Sequence, residues 1–145
     1  VKGLIIDKHA GKNKTYFHDT MDVASVAFSP DGKIIAFGYS GAKNNLILWD
    51  LVTGKQIKGL KGHPDTVYAL AFSPDGKKIV SGSAGSKSNL IVWDLENDTH
   101  TILQGHGDKV AAVAFSPDGK KIVSGSLDSR NNLIVWDAET GNQIK

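Results

Sequence analysis

The chain has no cysteine among its 145 residues. That excludes disulfides, thiolate chemistry and cysteine-ligated zinc. It also lacks an excess of charge of either sign: 17 Lys and Arg face 15 Asp and Glu, for a formal net charge of +2. So close a balance implies no general affinity for nucleic acid, and no nucleic-acid partner is expected. Long apolar runs are missing as well. No stretch approaches the roughly 18–20 residues of a membrane span. The opening "VKGLIIDKHAGKNK" has too short an apolar part for a signal peptide. The expectation is a soluble, cytoplasmic protein with no membrane partner, long enough to bury a real core.

Repetition is what the chain has. "FSPDGK" occurs at 28–33, 72–77 and 115–120, at spacings of 44 and 43 residues. Trp49-Asp50, Trp93-Asp94 and Trp136-Asp137 keep the same two spacings, and Gly62-His63 and Gly105-His106 are also 43 apart. A period this long marks repeated supersecondary units. The ends share the pattern: Asp7, Gly11 and Lys12 match Asp50, Gly54 and Lys55, so "GLII" at 3–6 takes the place of "LIVW". The array divides into 1–18 (the end of a preceding unit), 19–61, 62–104 and 105–145, the last unit incomplete.

Each unit reads as four short strands. In the second, "TVYALAF" (66–72) carries β-branched and aromatic residues in alternation. "SPDG" then turns the chain: Pro74 presets φ, Asp75 tolerates the bend and Gly76 allows positive φ. "KKIVSGS" (77–83) and "NLIVWDL" (89–95) follow, then a strand around "THTILQ" (99–104), entered by a turn at Glu96–Asp98. The third strand is apolar on both faces: in the last unit Leu133 and Val135 point one way, Ile134 and Trp136 the other. Such a strand needs a neighbour on each side. Small antiparallel sheets stacked face to face around an axis supply them.

Gly-His, "FSPDG", "SGS" and Trp-Asp, in this order and at this period, resemble the WD40 repeat family over essentially the whole chain. The resemblance implies an all-β fold of propeller blades, each four antiparallel strands, with about three repeats and incomplete terminal blades. It implies a non-enzymatic protein-interaction scaffold. It also implies a buried hydrogen-bond relay in each blade, from Trp to Ser or Thr, to His, to Asp. A buried indole N–H needs an acceptor, a hydroxyl can accept and donate onward to imidazole, and a carboxylate can fix the imidazole tautomer. The third unit matches in full with His106, Ser124, Asp128 and Trp136. The second has His63, Ser81 and Trp93, with Gly85 in the Asp place. The first keeps Trp49, with Phe37 and Gly41 in the Ser and Asp places and His18 one residue out of register. Spacing leaves Ser124 or Ser126, and Ser81 or Ser83, open as relay members; the first of each pair is preferred.

Other chemistries fit these residues less well. His106, Ser124 and Asp128 are the residue types of a hydrolase triad, but the Ser lies inside a strand rather than on an exposed elbow. The histidines recur at repeat spacing rather than ligand spacing, so neither metal nor cofactor is expected. The acids of "SPDG" and Trp-Asp are accounted for as turn residues.

The loop before each Trp strand is two residues longer than the family's usual one. It reads "SGAKNN" (40–45), "AGSKSN" (84–89) and "LDSRNN" (127–132), each with a cation: Lys43, Lys87 and Arg130. In a propeller this loop shares a rim with the Gly-His turn. The candidate binding rim is therefore Lys43, Lys87 and Arg130 with Asp65, Asp108 and Leu127, facing an acidic peptide or phosphate group. Asp22, Asp65 and Asp108 offset the charge, so binding there should be modest and salt-sensitive. The alternatives are a solvated loop copied by duplication, and a purely architectural subunit. Three units do not close a ring of typically 4–8 blades. Further blades, self-association or packing on other subunits is expected, with the stretch 14–18 able to complete a partner's last blade by strand addition.

Overall fold

The computed structural model of the chain describes residues 3–7, 12–17, 22–40, 45–85 and 89–144. It is all β among those residues. A hairpin of β1 (Gly3–Asp7) and β2 (Lys12–Phe17) comes first. The first full sheet is β3 (Val23–Phe28), β4 (Ile34–Tyr39), β5 (Leu46–Asp50) and β6 (Lys55–Leu60), in that spatial order. The second repeats it with β7 (Val67–Phe72), β8 (Lys78–Ser83), β9 (Leu90–Asp94) and β10 (Thr99–Ile102). The third has β11 (Val110–Phe115), β12 (Lys121–Ser126) and β13 (Leu133–Asp137). All pairs are antiparallel, as sequential hairpins allow. A fourth strand in the third sheet is only begun, by a bridge between Trp136 and Gln143.

The turns explain the repeated acids. In each "SPDG" turn the aspartate accepts from the preceding serine hydroxyl and from the lysine N–H two residues on, at 2.7 and 2.9 Å for Asp31 and Asp75 and 2.6 and 2.9 Å for Asp118. Gly76 holds φ +74°, a conformation that costs other residues. The aspartate after each Trp caps the next turn: Asp50, Asp94 and Asp137 each accept two backbone N–H groups. That turn ends on Gly54 and Gly141 at positive φ, and on Asp98 at φ 56° in the second unit.

The core lies between sheets. Ala36, Leu46 and Leu48 of the first sheet meet Val67, Ile79, Ile91 and Trp93 of the second. Val80, Leu90 and Val92 of the second meet Val110, Ile122, Ile134 and Trp136 of the third. Each such aliphatic contributes about 1.5–3 kcal/mol when fully buried. The middle strand β9 is buried on both faces, as its sequence predicts. Its counterpart β13 is not. Ile134 and Trp136 are buried, but Leu133 is 66% exposed and Val135 only half-buried. The expectation of two buried faces fails there because the described structure packs a sheet against only one of them.

Candidate functional site

The Gly-His turn and the loop before the Trp strand meet at one end of each sheet. In the third sheet Asn131 Nδ2 donates to the Gly105 carbonyl at 3.2 Å, and Gly107 N–H donates to Asp128 Oδ2 at 2.9 Å. The glycine before the histidine is there for space. A Cβ on Gly105 would lie 2.9 Å from the Trp136 ring, and one on Gly62 would lie 3.0 Å from that of Trp93.

Below this turn sits the relay. Trp136 Nε1 donates to Ser124 Oγ at 2.8 Å, and Ser124 Oγ lies 2.6 Å from His106 Nε2. His106 Nδ1 lies 2.5 Å from the Asn131 carbonyl oxygen, which can only accept. Nδ1 therefore carries the proton, Nε2 accepts from the serine hydroxyl, and the serine oxygen accepts from the indole. Ser124 and its neighbours are buried, so the direction is set without solvent. The second sheet repeats the core of it: Trp93 Nε1 donates to Ser81 Oγ at 2.7 Å, which lies 2.5 Å from His63 Nε2. The ring pairs match too, at 6.3 and 6.2 Å and the same 64° tilt.

The expected carboxylate link differs. Asp128 does not hold the His106 imidazole; the Asn131 carbonyl does. Asp128 accepts instead from the backbone N–H groups of Arg130 and Gly107, both at 2.9 Å, which fastens the loop to the turn. Those two N–H groups, Arg130's first, hold its carboxyl below the ordinary value, with the Asn131 N–H adding to them. A short carboxylate at the start of a polar loop finds the free N–H groups there before it finds the ring. The serines also separate by task. Ser126 Oγ accepts from Asp128 N–H and donates to the Asp108 carbonyl, and Ser83 Oγ donates to the Ala84 carbonyl, so both serve the loops.

In the first sheet an aromatic side chain, Phe37, stands in the place of the relay serine. Phe37 faces Ile47 across the ladder, as Ser81 faces Ile91 and Ser124 faces Ile134. Phe37, Tyr39, Ile47 and Trp49 form one buried group. His18 and Gly41 lie outside the described residues. Gly85, in the Asp place of the second unit, sits at φ +105° and offers its carbonyl to Asn89.

On the rim, Arg130, Asp65, Asp108 and Leu127 are all exposed, Leu127 at 66%. Lys43 and Lys87 lie outside the described residues. The side chains of Asp65 and Asp108 cap the N–H groups of Thr66 and Lys109. Their carbonyls serve another purpose. Asn45 Nδ2 donates to the Asp65 carbonyl, and Asn89 Nδ2 to the Asp108 carbonyl at 2.8 Å and the His106 carbonyl at 3.3 Å. These buried asparagines latch each sheet to the next. Sequence reading missed them, although an Asn-Leu pair recurs at 45, 89 and 132. It also missed the Tyr68 ring, over which the Lys109 ammonium stands at 3.5 Å. A β-bulge at the start of β7 precedes this contact, and bulges re-aim side chains.

Ser124 Oγ is thus fully buried and already engaged on both sides, which is the setting of a structural hydroxyl rather than of a nucleophile. Among the described residues, no group of three His, Asp or Glu is placed to hold a metal ion. The fold is shared with known structures. A crystal structure of the RRP9 WD40 repeats superimposes at TM-score 0.79, with 20% identity over 90% of this chain and 39% of that one. A structure of U3-55K superimposes at TM-score 0.79, with 21% identity over 90% of this chain and 40% of that one. The chain thus spans about two-fifths of each. The family described as WD domain, G-beta repeat, matches residues 12–50, 54–94 and 97–137, nearly all of the sequence. Its members are generally non-enzymatic folds that bind protein partners. The order of motifs, the stacked four-stranded sheets and this match together make the chain a member of the WD40 repeat family.

Proposed function

We propose that the chain acts as a non-enzymatic protein-interaction scaffold whose contact surface is the Gly-His rim. The observation that carries this reading is the 127–132 loop. Its base is pinned to the Gly-His turn through Asp128 and Asn131, while Leu127 and Arg130 stand exposed above it. A rigid loop that presents one apolar and one cationic side chain loses little entropy on binding. Repetition extends the motif to Lys43 and Lys87, giving cations on successive blades. The partner chemistry this favours is an acidic segment of a protein. The test is titration of a labelled hexaglutamate peptide against the wild type and the triple variant Lys43→Glu, Lys87→Glu, Arg130→Glu. At least tenfold weaker, salt-sensitive binding by the variant is expected. Equal binding by both would overturn the rim assignment.

A second reading, a purely architectural subunit, rests on a different observation. The outward face of the third sheet exposes Leu133 and Val123, positions that are apolar and buried in the inner sheets. On that reading the rim is idle and the faces of the blades carry the function.

A further inference from the structure

The two junctions between sheets differ at their outer strands. At the second junction Gly141 lies directly against the preceding sheet. A Cβ there would meet Leu103 Cδ2 at 3.0 Å and Thr101 Cγ2 at 3.3 Å. At the first junction the same places carry charge. Asp98 stands where Gly141 does, at φ 56°, and Lys58 faces Leu48 in the ladder as Thr101 faces Val92. Lys58 Nζ donates to Asp98 Oδ1 at 2.9 Å across the junction. Beside this pair, between β6 and β10, is a cleft of about 200 Å³, lined in part by Lys58, Lys61, Trp93, Asp94, Asp98 and His100. Lys61 and His100 are particular to it as well, since Gln104 and Gln143 hold their places in the next unit. The His100 ring rests on that of Trp93, with centroids 5.0 Å apart and planes tilted by 42°.

The acceptors of this cleft are engaged and its donors are not. Asp94 Oδ1 accepts the N–H groups of Glu96 and Asn97, and Asp94 Oδ2 accepts the Asn97 side-chain amide. Asp98 is taken up by Lys58. Among the described residues, the Lys61 ammonium and the His100 ring nitrogens have no hydrogen-bond partner. An ammonium carries three donors, so Lys58 keeps two to offer. An incoming anion therefore finds charge-assisted donors, whereas an incoming cation finds carboxylates already bonded. The volume suits one group of side-chain size rather than a cofactor. We propose that the cleft is a binding site for a carboxylate, held by the Lys58 and Lys61 ammoniums and by the His100 imidazole that Trp93 backs. Trp93 is itself fixed by its bond to Ser81, so the wall behind His100 is rigid. Asp98 is a positioning residue, which holds Lys58 across the junction. The site lies on the outer strands rather than on the rim loops and stands independently of the rim.

The test is a nuclear magnetic resonance titration of the isotopically labelled 145-residue chain at fixed pH. Two probes carry the carboxylate: glutarate, a free acid, and acetyl-Gly-Glu-Gly-amide, an acidic peptide. Saturable shifts of the Lys58, Lys61 and His100 side-chain signals are expected, and the probe that binds more tightly shows which source the site prefers. Glutaramide and argininamide should leave those signals in place. The double variant Lys61→Gln, His100→Gln adopts the residue types of the next unit and should keep the fold, with binding weaker by roughly fivefold or more. Should it misfold, Lys58→Thr with Asp98→Gly recreates the packed second junction and should abolish the shifts. No shift with either carboxylate, equal shifts with argininamide, or unchanged binding by the folded variant would each overturn the proposal. The triple rim variant should bind both probes like the wild type, so the cleft and the rim fail separately.

Discussion

Gly82 and Gly125 occupy the same place in two copies of the sequence "SGS", and their surroundings are opposite. A Cβ on Gly82 would collide with Val110 of the next sheet, and one on Gly125 would stand clear. The residues around them follow suit: Val80 and Leu90 are fully buried, Val123 and Leu133 are not. The difference shows that a repeated motif specifies an interface rather than an environment. What each copy experiences is decided by whether a neighbour is present to receive it.

That comparison can be broken by paired substitutions. The largest contrast is between Trp136→Ala and Leu133→Ala, three positions apart on β13. The first empties a buried site and its indole hydrogen bond, for a loss of about 3–5 kcal/mol. The second removes an exposed side chain and should stay within about 0.5 kcal/mol in the single chain. Urea unfolding measures both, and equal losses would mean that the outward face is covered.

Ser124→Ala against Ser126→Ala comes next. Ser124→Ala leaves the Trp136 indole N–H and the His106 Nε2 without their partner, at about 1–3 kcal/mol for each buried group left unmade. Ser126→Ala should cost well under about 1 kcal/mol, because its bonds lie at the exposed loop. Thermal denaturation separates the two, and similar values would contradict the relay. The asparagines give a smaller pair. Asn89→Ala should cost about 1–2 kcal/mol through its carbonyl contacts across to the third sheet, and Asn132→Ala close to nothing in the single chain.

The smallest effect is shared by all units. Asp31, Asp75 and Asp118 are held below the ordinary value of 3.8, first by a serine hydroxyl and then by a lysine backbone N–H. Asp94 is lowered first by the Asn97 side-chain amide and then by its N–H, and Asp137 by the N–H groups of Thr140 and Glu139. A carboxyl lowered on folding adds stability above its unfolded value and loses it as pH falls through the folded one. Acid should therefore destabilise the chain below about pH 4, with little contribution from these groups between pH 5 and 8. These groups are exposed, so the loss should be gradual. Replacing the three "SPDG" aspartates with asparagine should flatten the acid limb, which a pH series of melting temperatures would read.

Much of this was legible in the sequence. Strand positions followed from alternation and from the fixed turns, so β7 and β8 begin within a residue of where their sequence places them. Ser124, His106 and Trp136 were found because three residue types recur at one spacing, and a buried indole must have an acceptor. The Asp128 link was misread, since spacing says that a carboxylate is near a ring but not which donor it meets first. The valine-glycine insertions and the asparagine latches were invisible for another reason: they join different units, while the repeat shows only what lies within one. The exposure of Leu133 was invisible too, because "LIVWD" is written identically in the second and third units and only packing tells them apart.

Side-by-side equilibrium unfolding of Gly82→Ala and Gly125→Ala tests the interface account most directly. The account predicts a loss of about 1–3 kcal/mol or more for Gly82→Ala, where the added methyl overpacks against Val110. It predicts a change within about 0.5 kcal/mol for Gly125→Ala in the dilute chain. Equal losses at the two sites, or a larger loss at Gly125, would contradict it.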